Sequence, residues 1–304
     1  MSRHFFIFGA GYSGRAFGVA NAGREPLTGT TRSPSKFALL KEAGITPLQF
    51  DGSGVSGAVR DALATTTHLI VSVGPDDDGD PVLNAARDII LGGMPKLEWI
   101  GYLSTIGVYG DHQGAWVDET SECRPLSRRS VDRVKAENAW LDLGRQRGVP
   151  VAVLRLSGIY GPGRNALVNI ENGTARRLVK PGQVFNRIHV EDIAAALLHL
   201  SAANIGGVFN VTDDEPSPPQ DVVAYAAELM GVEPPPEIPF ETAELTPMAR
   251  SFYGESKRAS NAAIKATGFV FGHPDYRSAF FGMWEKGTWR GVDAKDRRSP
   301  MRAG

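Results

Sequence analysis

Through the first half of the chain, short apolar runs alternate with stretches of helical periodicity. HFFIF at 4–8 reads as a strand, followed by a helix over 13–22 that Gly23 ends. PLTGT at 26–30 is a weak strand, 34–43 a helix and TPLQF at 46–50 a strand. A helix over about 56–64 leads into the buried-strand pattern HLIVSV at 68–73. Asp80 and Pro81 supply an N-cap and a first helical residue for 81–92, and LEWIGYLS at 97–104 is a fifth strand. The helix around SVDRVKAENAW (130–140) and the strand VAVLRLS (151–157) complete the series. Strands alternating with helices predict a parallel sheet covered on both faces, and right-handed crossovers make it doubly wound.

Beyond residue 160 the rhythm changes. YGPGRN is a turn, VEDIAAALLHLSA starts a helix near 190, GGVFNVTD at 206–213 is a strand and VEPPPEIPF at 232–240 is a proline-rich connector. A helix-prone C-terminal third ends in AKDRRSPMRAG, which predicts a loose tail over 291–304.

Composition narrows the class of molecule without changing this picture. Of 304 residues, 42% are hydrophobic and 22% charged, the balance of an ordinary chain with a packed core. A formal net charge of −1 offers no electrostatic footprint for nucleic acid or an acidic membrane, so neither is an expected partner. Cys123 is the only cysteine, which excludes an internal disulfide and a cysteine-rich zinc site. No apolar run is long enough to span a bilayer, and the apolar part of MSRHFFIFGAG is too short for a signal peptide. The expected compartment is the cytoplasm and the expected partner a small-molecule substrate, with a homodimer formed through helices beside the sheet.

Candidate chemistry begins at FFIFGAGYSGRAF, where Gly9, Gly11 and Gly14 have G-x-G-x-x-G spacing. The motif follows a strand and opens a helix in the first unit of the alternating pattern, the context in which it binds a dinucleotide. Gly9 permits the tight turn, Gly11 lets the backbone approach a pyrophosphate, and Gly14 lets helix and strand pack closely. Unpaired N–H groups at the helix N-terminus then face the anion, with Tyr12 and Ser13 beside it. At the end of the second strand, GTTRSPSK places Thr31 and Arg32 where a carboxylate would hold a ribose 2′-OH. A guanidinium there suits a 2′-phosphate, a charge-assisted contact worth about 1.5–3 kcal/mol, so NADP is expected ahead of NAD. Asp51, closing the third strand, is a candidate for the adenine or for a loop cap; Val73 and Gly74, closing the fourth, complete the expected crevice. The expected fold is α/β, a doubly wound parallel sheet of the Rossmann type over 1–160, continued by 187–213. A small, mainly C-terminal substrate domain is expected from 161–186 and 214–290.

Three further segments, YLSTIGVYGD (102–111), LRLSGIYGPGR (154–164) and RIHVEDIAAA (187–196), follow in order. Together with the glycine loop they resemble the extended and atypical short-chain dehydrogenase/reductases, the NAD-dependent epimerase/dehydratase group. The resemblance runs from residue 4 to about 212, and more loosely through SKRASNAAIKATGF to about 277. It implies chemistry in which a tyrosine is the acid/base. A lysine four residues later lowers the tyrosine's pKa and holds the nicotinamide ribose, and a Ser/Thr ending the fifth strand orients the substrate oxygen. That last position falls on Thr105, with Ser104 beside it, and the lysine on Lys135. The tyrosine position is then Val131, and no tyrosine occurs between Tyr109 and Tyr160. Tyr109, Tyr160, Asp118 and Glu119 are the available substitutes, although the tyrosines belong to turns where an aromatic packs and the carboxylates to a solvated loop.

General acid/base catalysis contributes about 10²–10⁴-fold. The expectation is therefore an NAD(P)-binding oxidoreductase or epimerase/dehydratase-like enzyme with an incomplete catalytic set, acting on a small oxygenated, sugar-like substrate. Val131 leaves open a second reading, a non-catalytic module that senses NADP(H) or presents a surface to a partner. Tyr109, Arg164, Asn165 and Arg187 would face the substrate cleft, where they suit an anionic or hydroxylated group. No metal is expected, because Asp76, Asp77, Asp78 and Asp80 lack the ligand spacing of a calcium loop. His189 and Asp192 read as structural hydrogen-bonding residues at a helix start.

Overall fold

The computed structural model describes residues 2–291. Apart from Gly291, the tail expected over 291–304 lies outside them. The chain opens with β1 (Phe5–Phe8), whose side chains alternate between two cores: Phe5 and Ile7 join one, Phe6 and Phe8 the other. A strand covered on both faces needs an unbroken apolar run, which is what this segment supplies. Then come α1 (Tyr12–Asn21), β2 (Leu27–Thr31), α2 (Phe37–Glu42), β3 (Thr46–Gln49), α3 (Gly57–Thr65), β4 (His68–Val71), α4 (Pro81–Gly92) and β5 (Trp99–Thr105). After β6 (Trp116–Val117) the helix α5 (Arg128–Arg147) returns the chain to β7 (Val151–Leu156).

The second half is made of smaller pieces: β8 (Gly158–Tyr160), α6 (Ala166–Glu171), β9 (Arg177–Val179), β10 (Arg187–His189), α7 (Val190–Ala202) and β11 (Gly207–Val211). It ends with α8 (Pro219–Met230), β12 (Glu237–Pro239), α9 (Pro247–Phe252), β13 (Arg258–Ala259), α10 (Ala262–Ala266) and α11 (Tyr276–Glu285).

Seven strands form one parallel sheet in the order β11-β7-β5-β4-β1-β2-β3. The order reverses between β1 and β4. In such a sheet the crevice beyond the carboxyl ends of the strands at that point is where ligands bind. The expected doubly wound α/β fold is what the chain adopts. Its edge strand β11 comes from the 206–213 segment, and α7 packs on α1. Outside the large sheet, β10 pairs with β8, β12 with β9 and β13 with β6, each a pairing of two or three residues. The sequence pattern did not reveal these pairs, and β12 lies inside the proline-rich stretch expected to be a connector. Strands this short have no measurable period, and their partners lie up to about 140 residues away.

Asp80 ties two helices together. Its Oδ1 accepts from Val82 N (2.9 Å) and Leu83 N (3.0 Å), capping α4, while Oδ2 accepts from Trp140 Nε1 of α5 (2.9 Å). Asp80→Ala removes a cap worth about 0.5–2 kcal/mol and leaves a buried indole N–H unpaired at about 1–3 kcal/mol. We expect a combined loss of roughly 2–4 kcal/mol in urea unfolding, and an unchanged midpoint would refute the assignment.

Candidate active site

Gly9 turns the chain out of β1 with φ +82°, and a Cβ there would meet Val73 Cγ2 at 2.8 Å. Only glycine fits such a turn against so close a neighbour. Five residues on, a Cβ at Gly14 would stand 3.4–3.5 Å from Ala10 and Ile7, so the third glycine lets α1 lie close on β1. Gly11 is exposed and opens α1 without a side-chain cap. By contrast α3, α4, α5, α6, α7 and α11 are each capped by a side chain, from Ser56, Asp80, Ser127, Asn165, His189 and Asp275. The N-terminal N–H groups of α1 therefore stay available to an anion at the switch point. Ser13 is buried in the same turn.

Around this loop, Val73 packs on Gly9, and Thr30 Oγ1 accepts from Gly9 N (3.0 Å). Arg32, at the end of β2, is exposed, and its carbonyl accepts from Gln49 Nε2; Thr31 Oγ1 accepts from Ser33 N. Asp51 is also exposed, and its Oδ1 accepts from Ser53 N and Ser53 Oγ, bonds that lower its pKa. Of the two roles open to Asp51, the loop turn is the one its bonds serve. Tyr12 reaches the other way and donates from its hydroxyl to Pro162 O (3.0 Å). Burial pushes the Tyr12 phenol up to about 12, against the pull of Arg164 and Arg15.

The helix α5 presents a partly charged face to the sheet. Ser130, Arg133, Ala136, Glu137, Trp140, Leu143 and Gly144 are buried, whereas the Lys135 side chain is 73% exposed and pairs with Asp132 (3.0 Å). The expected catalytic lysine is thus not brought to the crevice. Arg133, 9% exposed, takes that side of the helix. Its Nη1 donates to Leu103 O (2.6 Å), its guanidinium lies over the Tyr102 ring, and its Nη2 is 2.6 Å from where a Cβ on Gly74 would stand. Its Nε is buried with no hydrogen-bond partner among the described residues. Gly74 and Arg133 therefore meet at the ends of β4 and β5.

Thr105 ends β5 half-buried, and its Oγ1 accepts from Gly107 N (3.1 Å). Beneath it runs a buried polar chain that sequence reasoning missed. Ser104 Oγ donates to Glu137 Oε1 (2.5 Å), and Arg155 Nη2 pairs with Glu137 Oε2 (2.8 Å). Arg155 Nη1 donates to Tyr109 Oη (2.9 Å), and that hydroxyl donates to Asn210 Oδ1 (2.8 Å). Tyr109, expected at the substrate, is thus fully buried with both hydroxyl roles taken. Glu119, expected in solvent, reaches inward and accepts from Asn210 N (2.6 Å), while Asp118 stays in an exposed turn with Thr120 and Ser121.

A cavity of about 340 Å³ lies beside Tyr160 and is lined by Arg164, Asn165, Arg187, Val222 and Phe280 among others. Arg164 is exposed and makes no side-chain hydrogen bond or ion pair among the described residues. Asn165 is committed elsewhere: Oδ1 caps α6, and Nδ2 donates to Gly161 O and Trp289 O (2.8 Å each). Arg187 spends Nη1 on Phe185 O, Ser217 O and Ser217 Oγ and lies over the Tyr276 ring. Nearby, His189 Nδ1 accepts from Glu191 N at the start of α7, and Asp192 accepts from Gly272 N and His273 N.

His189, Glu191 and His273 place one ligand atom each within 4.8 Å of one another. A metal on His189 Nε2 while Nδ1 accepts an N–H would demand a ring without protons, so the trio reads as a hydrogen-bonded stack. Burial holds the His189 imidazole down to about 4, with His273 adding to the effect. Among the described residues no helix is long and apolar enough to cross a membrane.

Comparison with known proteins agrees with this geometry. Residues 82–212 match the model of the NAD dependent epimerase/dehydratase family. A solved structure of a conserved protein of unknown function from Silicibacter pomeroyi DSS is 44% identical, with a TM-score of 0.85, over 94% of this chain and 99% of that one. Protein YeeZ of Escherichia coli K12 is 29% identical over 196 residues, 58% of this chain and 63% of YeeZ, so the chain spans less than two thirds of this curated relative. Human epimerase family protein SDR39U1, solved with NADPH, shares the fold at 18% identity and a TM-score of 0.69, over 93% of this chain and 99% of that one. With the strand order and these matches together, residues 82–212 of the chain carry the domain of the NAD dependent epimerase/dehydratase family, on the fold that the solved relatives share.

Proposed function

We propose that this protein is an NADP-linked oxidoreductase or epimerase/dehydratase-type enzyme for a small oxygenated substrate bearing an anionic group. One observation carries the reading: α1 begins uncapped, directly behind the glycine turn, at the point where the strand order reverses. Gly9, Gly11, Tyr12, Ser13 and Gly14 hold the pyrophosphate, with Val73 and Gly74 forming the opposite wall of the crevice. Arg32 takes the 2′-phosphate, supported by its exposure and its lack of an ion pair among the described residues. Arg133 replaces Lys135 as the residue that holds the nicotinamide ribose. On that register the residue one turn earlier is Arg129 instead of Val131, so either alignment leaves the acid/base position without a tyrosine. Thr105 orients the substrate oxygen, and Arg164 and Arg187 bind the charged end of the substrate. The hydride acceptor or donor is the cofactor's own chemistry; the chain supplies position and charge.

The test is a titration with both coenzymes, followed by NADPH oxidation against aldehydes, ketones and sugars. Arg32→Ser is expected to weaken NADP binding roughly ten- to a hundredfold, the equivalent of one charge-assisted contact, while NAD binding stays unchanged. An unaltered NADP/NAD ratio would remove the arginine from the reading. Thr105→Ala should abolish turnover and spare binding. A purely sensing role would instead give binding with no turnover in any variant.

A further inference from the structure

Asp213, two residues past the end of β11, is 1% exposed and bonds to the backbone of Arg187. Its N–H donates to the Arg187 carbonyl (2.7 Å), its Oδ1 accepts from Glu215 N (3.3 Å), and its Oδ2 is buried with no hydrogen-bond partner among the described residues. An ionised carboxylate in that position would hold a full charge out of water with half its acceptor sites unmet, which costs several kcal/mol. No ion pair relieves it among the described residues, since Arg187 commits its Nη1 to Phe185 and Ser217.

The charged groups around it point the same way. Asp214 and Glu215 share its loop, Asp275 caps α11, and Arg277 of α11 is already paired with Glu215 (3.3 Å). Tyr160 of β8 is buried within reach of the Asp213 charge. Burial pushes the Asp213 carboxyl up to about 8. Arg187 opposes that rise, while Glu215 and Asp214 add to it.

We infer that Asp213, buried with one carboxyl oxygen unpaired, is a specificity-determining residue of the Arg164–Arg187 cavity: a carboxyl held there without a counter-charge leaves the Arg187 charge uncancelled, so the cavity selects a ligand ending in a small oxyanion, a carboxylate or a phosphate. Ionised, the same side chain would neutralise Arg187 and turn the cavity from anion-selective to indifferent. The inference rests on the proposed function only in calling this ligand a substrate; the charge argument stands without it.

Sulfate and malonate, both dianionic from pH 7 to 9, are the probes, titrated calorimetrically into the full chain. Only the binding that Arg187→Gln abolishes is at issue, because the glycine loop also attracts anions. That component should weaken about tenfold between pH 7 and pH 9 in the natural chain, following the fraction of neutral Asp213. It should be flat with pH in Asp213→Asn, which keeps the shape and cannot ionise. The infrared band of a protonated carboxyl should disappear over the same range in the natural chain and be missing in Asp213→Asn. An equal pH dependence in both proteins, a missing band at pH 7, or no component lost in Arg187→Gln would overturn the inference. Dinucleotide titration on the same samples separates this outcome from failure of the cofactor reading.

Discussion

Glu137→Ala is expected to cost about 3–5 kcal/mol, because it strands the buried Arg155 guanidinium without its counter-charge. Arg155 holds Glu137 through Nε and Nη2, and both side chains are almost sealed from water. Removing the carboxylate also deprives Ser104 of its acceptor, and the loss passes along Arg155 to Tyr109 and Asn210. For a chain of this size the thermal midpoint should fall on the order of ten degrees. Glu137→Gln keeps the volume and an acceptor and should lose clearly less. Urea unfolding of the two variants, side by side, checks the claim. Equal midpoints for Glu137→Ala and the natural chain would mean the pair is solvated and adds nothing.

Arg133→Ala carries the second large expected effect, this time on binding. If the guanidinium beside Gly74 holds the cofactor ribose, its removal should weaken NADP binding roughly ten- to a hundredfold, the equivalent of about 1.5–3 kcal/mol. Lys135→Ala, by contrast, should leave affinity unchanged, since that ammonium pairs with Asp132 in water, where such a pair is worth little. Arg133→Lys separates the two roles Arg133 can have. A lysine can still donate to the ribose, but it cannot span Leu103 O and the Gly74 segment as the fork does. Retained NADP affinity in Arg133→Lys, with some loss of stability, is the expected pattern. Normal affinity in Arg133→Ala would restrict Arg133 to bracing β5.

The α5 helix shows where reading residues in order goes astray. Its buried stripe, Ser130–Arg133–Glu137–Trp140, has helical spacing but carries two charges, so apolar periodicity does not pick it out. Arg133 and Glu137 can be buried only because Leu103 O, Arg155 and Ser104 wait for them on β5 and β7. Those partners are between 18 and 33 residues away in the chain. Tyr109 and Asn165 misled for the same reason, each a polar group whose partners come from distant segments.

Local chemistry, then, was enough for the alternating layers, the glycine turn and the Asp80–Pro81 helix start. Each depends on neighbours within a few residues: a two- or four-residue period, a positive φ that only glycine takes easily, a cap reaching two or three residues forward. Which face of α5 meets the crevice, whether a buried carboxyl keeps its proton, and which arginine stands free were set by packing. Charge burial costs several kcal/mol unless a partner arrives from elsewhere in the fold, and no window along the chain contains that partner.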